Sequence, residues 1–412
     1  MIGPAGVLIV GAGQAGYQLA VSLREGGYDG RVRLVGDEPG LPYQRPPLSK
    51  AYLEGDGGDE LLPFRPQAYF DKHGIEVRGD TRVAAIDRVA RRVITTADET
   101  LEYGHLALAT GTRNRPLLVP GHDLAGVHVL RTHAEAEALR VGMQAASAVV
   151  VVGAGFLGLE AAAVAAARGA KVDVVETTRL PMGRAVSALV SEAFTRQHER
   201  QGIRFHLGAG VMRLHGEAGR VTGVELSDGT VLPSSLVLVC IGVIPNAELA
   251  AEAGLPVANG IVVDEHLATE DPDISAIGDC AAYPNRYAGG PVRLESVQNA
   301  VDHARCLAAR LLGKPAPYHA VPWFWSDQGD WKLQIAGFTA GCPVIVPRGD
   351  TDSRDFTVYA FRDGRLAGVE TVNRPADHVA ARRLLGTEAV ITPEMVAAPG
   401  FDLRRAAKAA LS

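Results

Sequence analysis

The feature that most restricts what this chain can fold into is a glycine pattern written twice. Val7–Val10 run into Gly11-Ala12-Gly13-Gln14-Ala15-Gly16, and Val149–Val152 run into Gly153-Ala154-Gly155-Phe156-Leu157-Gly158. Each is a G-x-G-x-x-G where an apolar strand gives way to a helix. The first glycine allows the tight turn, the second lets the backbone approach a pyrophosphate, and the third lets the helix lie close to the strand. The positive end of the helix then meets the anion. An acid closes each unit about twenty residues further on, where a carboxylate takes ribose hydroxyls. Asp37 follows Val32–Gly36, and Glu176 follows Val172–Val175. A single copy would equally suit a structural glycine turn. Two copies in full context point to two bound dinucleotides, and the simplest reason to hold two is to pass electrons between them.

Composition narrows the remaining classes. The chain has 412 residues, room for two or three domains, and a net charge of −6 without long charge runs. That balance argues against a nucleic-acid binder, which needs a basic face for phosphates. Cys240, Cys280, Cys306 and Cys342 form no C-x-x-C, so neither a zinc ribbon nor a redox disulfide pair is expected. They read as reduced small hydrophobes in a cytosolic interior. The twelve histidines show no H-x-H or H-E-x-x-H, and no metal site is expected. The first strand begins within a few residues of Met1 with no basic-then-apolar leader, and every apolar run is too short to span a bilayer. The expectation is a cytoplasmic protein without membrane contact.

Strand and helix patterns alternate from the start: strand 7–10, helix 14–26, strand 32–36, then a proline-rich turn through Pro42, Pro46 and Pro47. Such alternation means a parallel sheet. The run 106–109 ends in Thr110-Gly111, and Arg113, Pro116 and Pro120 read as a linker. The pattern restarts at Val149, with an alanine-rich helix over 159–168 that suits close packing on a sheet. A strand over 235–241 stops at Gly242, and 274–279 forms a buried strand with Asp279 at its end. Asp279 is there placed to meet a ligand beyond the strand ends, or to cap the next helix. From Pro322 the pattern changes to strands over 333–338, 344–347, 356–361 and 366–372, the last two joined by an Asp363-Gly364 hairpin turn, and then a helix over 376–385. The fold class is therefore α/β, with two Rossmann-like dinucleotide domains and an α+β C-terminal domain. The first domain takes 1–112 and 245–321, the second 113–244, and the last 322–412.

A first dinucleotide domain interrupted by a second resembles the two-dinucleotide, glutathione reductase-like flavoproteins. Finer features carry the likeness further: Leu48-Ser49-Lys50 behind the double proline, Ala109-Thr110-Gly111, Ile277-Gly278-Asp279, and the run Trp323-Phe324-Trp325-Ser326-Asp327-Gln328. In these the chain resembles the NADH-dependent ferredoxin reductases of bacterial oxygenase systems, of the putidaredoxin reductase and biphenyl dioxygenase reductase types. The likeness runs from residue 7 to about 405. It implies FAD in the first cradle, with contacts at Gly11, Gly13, Ala15, Gly16, Asp37, Arg45, Lys50, Val83, Ala109, Arg131, Asp279 and Val297. Arg131 would fork onto the pyrophosphate and the carboxylates would accept ribose or ribityl hydroxyls. It implies NAD in the second cradle, with contacts at Gly153, Gly155, Leu157, Gly158, Glu160, Glu176 and Gly242. A carboxylate at Glu176 repels the 2′-phosphate of NADPH and favours NADH, although Arg179 lies nearby.

The cysteine pair that related disulfide reductases carry after the first helix is replaced here by Pro46, Pro47 and Lys50. Electrons are then expected to leave directly from the flavin toward a 2Fe-2S ferredoxin that serves a haem-thiolate monooxygenase or Rieske oxygenase. By the same likeness Lys50 steadies the reduced flavin, and Glu160 meets both that lysine and the nicotinamide amide. Neither is a covalent nucleophile; both act through charge and position. Trp325 is the candidate to line the flavin edge, while at least one of Trp323, Trp325 and Trp331 is expected in a core. Arg305 and Lys332 are candidates for docking the ferredoxin. Two other readings share the scaffold: an NADH:rubredoxin reductase, and an NADH-binding flavoprotein that senses redox state through protein interaction.

Overall fold

Val7–Val10 is buried along its whole length because it lies in the middle of an all-parallel sheet, where both faces are covered and an uninterrupted apolar run is the stable choice. The computed structural model describes residues 2–55 and 58–411, grouped in two compact units. The first comprises the chain up to Gln44, Asp59–Arg113 and Ile244–Ala320. Its main sheet runs in the order Ile274–Ala276, His105–Leu108, Val7–Val10, Val32–Val35, Ile75–Arg78, with Val7 opposite both Val32 and His105. The helices Gln14–Glu25 and Val297–Leu311 pack together in the same unit.

The second unit comprises Arg45–Gly58, Asn114–Val243 and the chain from Val321 on. Its parallel sheet repeats the plan: Arg204–Leu207, Lys171–Glu176, Ala148–Val152, Leu236–Val239, Val127–His128. In both sheets the strand that feeds the glycine turn sits in the middle. The C-terminal part is a five-stranded antiparallel sheet, in the order Trp323–Gln328, Trp331–Gly337, Arg365–Val372, Phe356–Arg362, Val344–Arg348, with the helix Pro375–Leu385 after it. Asp363 at φ 52° and Gly364 at φ 71° make the left-handed turn that joins two of these strands.

Several details depart from the sequence reading. Arg45–Gly58 groups with the second unit rather than the first, because its polar groups are satisfied there: Tyr52 Oη donates to Glu137 and Arg168 donates to the Leu53 carbonyl. The residues after Arg113 are no free linker, since Leu117, Val119 and Leu124 pack onto the core built around Val150 and Val237. The strand before Asp279 ends at Ala276, and Asp279 lies within a single 3-10 turn, Gly278–Cys280, rather than at a helix N-cap. The strand Trp323–Gln328 was not foreseen as one. Nor were two antiparallel inserts, Val83–Asp87 with Arg92–Thr95 and Thr100–Glu102, and Val211–Glu217 with Arg220–Leu226 and Val231–Pro233.

Candidate functional site

The two glycine turns have the same internal logic, and it separates fold from ligand. At Gly11, with φ 113°, a side-chain carbon would collide with the Ala109 carbonyl; at Gly153, with φ 103°, it would meet the Cys240 carbonyl. At Gly16 and Gly158 it would strike the carbonyls of Gly11 and Gly153. These four glycines are demanded by the protein's own packing. Gly13 and Gly155 are different: nothing lies within 4 Å of where their side chains would begin. No protein atom requires glycine there, so the requirement fits a group that comes from outside.

The helices behind the turns agree. Those starting at His133, Ala188, Val297 and Leu403 are capped by the side chains of Thr132, Ser187, Ser296 and Asp402. The helices Gln14–Glu25 and Phe156–Ala167 start from Gly13 and Gly155 with no side-chain cap. Backbone N–H groups at an uncapped helix start, added to the helix dipole, suit a phosphate. The donor set and the open space thus fit the pyrophosphate of a dinucleotide in both cradles.

The closing acids behave differently from one another. Asp37 is exposed and, among the described residues, has no protein partner, so its oxygens are open to ribose hydroxyls. Glu176 accepts from the Ala154 N–H at 2.9 Å, from the Thr178 N–H at 2.9 Å, and from the hydroxyls of Thr177 and Thr178. Burial pushes this carboxyl upward, but those donors outweigh it and hold it below the usual range. Glu176 therefore also ties down its own glycine turn, a role the sequence did not disclose.

Within the second unit one carboxylate gathers three donors. Glu160 is 5% exposed; its Oε2 accepts from Ser49 Oγ at 2.6 Å and Lys50 Nζ at 2.9 Å, and its Oε1 from Ser326 Oγ at 2.7 Å. The expected partnership of Lys50 with Glu160 is present. Ser49 and Ser326 were missed, because their reach to Glu160 depends on tertiary contacts. Arg45 Nη1 donates to the Arg131 carbonyl at 2.6 Å, which brings two arginines together beside the start of the helix His133–Ala145. Gly242, at φ 92°, offers its carbonyl to the Arg115 N–H, and Leu157 is half-buried on the helix after the second cradle.

Trp325 lies on Trp323–Gln328, half-buried, with its ring centroid 5.7 Å from that of Trp323. The strand alternates: Phe324 packs at a tilt on Phe156 and Ser326 meets Glu160, while Trp323 faces His378 and Arg382. Trp331, 1% exposed between Phe194 and Phe356, is the tryptophan in the core. Of the other flavin candidates, Ala15 and Ala109 are buried beside the first turn. Val83 and Val297 are half-buried, and Asp279 is half-buried on its 3-10 turn; all five belong to the first unit. Arg305 is exposed in the first unit, 3.8 Å from Asp302, and Lys332 is exposed in the second.

All four cysteines are free; Cys280 is fully buried and the others half-buried. Burial pushes every thiol upward, that of Cys240 to about 12. None is a ready nucleophile. With all four cysteines free and none paired, neither cradle has a dithiol to work through.

The family model for pyridine nucleotide-disulphide oxidoreductases matches residues 5–304. The chain belongs to that family. A second model, the reductase C-terminal domain, matches residues 323–407. Rhodocoxin reductase of Rhodococcus erythropolis is 54% identical over 400 residues, covering 97% of this chain and 94% of the relative. Among solved structures, the ferredoxin reductase for the CYP199A2 system of Rhodopseudomonas palustris is 52% identical with a TM-score of 0.95, covering 98% of this chain and 99% of the other. The reductase of the covalent putidaredoxin reductase–putidaredoxin complex is 38% identical, also at a TM-score of 0.95, with 99% of each chain covered. The matches bear out the α/β fold class with its C-terminal domain, and the resemblance to ferredoxin reductases.

Proposed function

We propose that the chain is an FAD-dependent NADH:ferredoxin reductase, which takes electrons from NADH and delivers them to a 2Fe-2S ferredoxin serving an oxygenase in the cytoplasm. The observation that carries this reading is the pair of uncapped helix starts behind Gly13 and Gly155, each with open space where a side chain would stand. The first cradle, with the free carboxylate of Asp37, would hold the adenosine and pyrophosphate of FAD. The second, with Glu176, would hold NADH. Flavin, when bound, supplies the chemistry that side chains lack, accepting two electrons as hydride and giving them up singly. The protein's own contribution is charge and position. Lys50 would set its ammonium against the negative charge of the reduced ring, and Glu160 would hold both that ammonium and the nicotinamide amide. Among the described residues no helix is long and apolar enough to cross a membrane.

Arg305, with 64% of its side chain exposed and only a loose contact to Asp302, is free to meet an acidic partner. Complementary charge raises association rates and fades with salt. The test is NADH-driven turnover of the FAD-loaded protein with a 2Fe-2S ferredoxin, a rubredoxin and ferricyanide. Ferredoxin should be reduced faster than rubredoxin, and Arg305→Glu should slow ferredoxin reduction severalfold at low ionic strength while ferricyanide reduction is unchanged. Slow turnover with every protein acceptor, together with a long-lived reduced-flavin complex, would favour a redox sensor instead.

A further inference from the structure

A line of buried polar side chains runs back from Glu160 through the C-terminal sheet. Ser326 Oγ, which donates to Glu160 at 2.7 Å, accepts from Gln328 Nε2 at 3.2 Å. Gln328 Oε1 in turn lies 2.7 Å from His198 Nε2. Ser326 and Gln328 are two residues apart on Trp323–Gln328 and so face the same side; His198 is on the helix Ala188–Arg200. The four are 5, 0, 1 and 1% exposed in the order Glu160, Ser326, Gln328, His198.

The direction of the line follows from chemistry. A carboxylate only accepts, so Ser326 must give its one proton to Glu160. Its oxygen is then left to accept, which the Gln328 amide N–H does; the same amide nitrogen also lies 3.3 Å from Met182 Sδ. The carbonyl end of Gln328 is thereby turned to His198, and only a proton on Nε2 completes the bond. The ring is consequently the neutral Nε2–H form, with Nδ1 bare; Nδ1 has no partner. Burial holds this imidazole below its ordinary range, and the bond to Gln328 offsets that in part. Every proton in the line points toward Glu160. In a low-dielectric interior such chains polarise one another, and each member restricts the next.

We infer that Gln328 and His198 are positioning residues for Glu160, acting through Ser326, so that a strand of the C-terminal module sets the carboxylate that meets the nicotinamide. The inference rests on the proposed role of Glu160 toward NADH. A buried polar line is costly unless fully satisfied, and hydrophobic side chains at Ser326 and Gln328 would have packed this strand more simply.

The test uses the FAD-loaded protein and three readouts. Gln328→Leu should slow flavin reduction by NADH about tenfold in single turnover and weaken NAD⁺ binding, measured by calorimetry, about fivefold. In a Glu160→Gln background the same substitution should change both by less than twofold. His198→Phe should reproduce the loss and His198→Gln, which keeps a donor at the same reach, should restore it. The ring ¹⁵N spectrum of His198 should show the Nε2–H form. Equal slowing by Gln328→Leu in both backgrounds, failure of His198→Gln to rescue, or an Nδ1–H ring would overturn the inference. If Glu160→Gln alone leaves flavin reduction by NADH untouched, it is the role of Glu160 that is wrong, and the inference falls with it. Should Gln328→Leu not fold, Ser326→Ala carries the same comparison.

Discussion

Asp37 and Glu176 close equivalent strands, yet only Glu176 uses its oxygens on the protein itself. Its donors keep it charged at neutral pH despite burial, and a fixed negative charge at the ribose end repels a 2′-phosphate. Catalytic efficiency with NADH should therefore exceed that with NADPH at least tenfold, about 1.4 kcal/mol in transition-state terms. Glu176→Ala removes the repulsion but also strips the Ala154 N–H of its acceptor, so the NADPH/NADH ratio should rise while efficiency with NADH falls. Steady-state kinetics with both nucleotides decides this; equal efficiencies in the unmodified protein would remove Glu176 as the selector. This dual use was hidden in the sequence. The acid's place is a matter of spacing, whereas its bond to Ala154 depends on how the turn folds back over the strand end. Glu160 shows the same limit more sharply, since its donors come from residues 49, 50 and 326.

The glycine turns were readable as elements because their constraints are local: a collision at Gly11 or Gly16 arises within one strand, turn and helix and their neighbouring strand. The strand Trp323–Gln328 was not, since aromatic residues on both faces hide its alternation; Phe324 packs on Phe156 while Trp323 packs on His378. The C-terminal sheet is fastened by a feature equally invisible to pattern. Glu370, 0% exposed on Arg365–Val372, accepts from the Ser187 N–H at 2.7 Å, Ser187 Oγ at 2.5 Å and Thr339 Oγ1 at 2.7 Å. Ser187 caps the helix that carries His198, so the sheet and that helix are joined at a buried carboxyl. Burial pushes Glu370 above the usual carboxylate range even though these donors pull it down. Glu370→Leu should cost about 2–4 kcal/mol by leaving buried donors unpaired, and Glu370→Gln, which keeps one acceptor, about 1 kcal/mol. A raised folded value contributes stability at low pH that is lost as pH rises through it. The advantage of the unmodified protein over Glu370→Gln should accordingly shrink between pH 4 and neutrality. Chemical denaturation at several pH values measures both effects, and a Leu variant more stable than the Gln variant would refute the account.

On the scale of the whole molecule the two halves repeat one plan, a five-stranded parallel sheet with the glycine turn after its middle strand, and they also share a weakness toward acid. Each contains histidines buried as neutral rings. In the first unit burial lowers His105 and His303 to about 3, with Arg310 adding to the effect at His105. His303 accepts the Gly278 N–H beneath the turn that carries Asp279, which leaves its other nitrogen unpartnered between the rings of Tyr283 and Tyr318. In the second unit burial, followed by the charge of Arg382, lowers His378 to about 4. A folded value below the unfolded one, near 6.5, means that the unfolded chain binds more protons once pH drops under that figure. Stability is complete above about pH 6.5 and is lost progressively toward the folded values. Each ring costs about 1.4 kcal/mol per pH unit, so by pH 5 His105 and His303 remove roughly 4 kcal/mol from the first unit and His378 roughly 2 kcal/mol from the second. Against the about 5–15 kcal/mol of an ordinary domain, the loss in the first unit is large. The melting temperature should fall steeply between pH 6.5 and 5, well before carboxylates titrate. His378→Leu, which keeps apolar contact with Trp323, should lessen the decline in the second unit, where burial also lowers His198, and leave that of the first unchanged. Calorimetric scans across pH 5 to 8 supply the measurement; a melting profile that stays level down to pH 5 would mean that these rings take up protons in the folded protein.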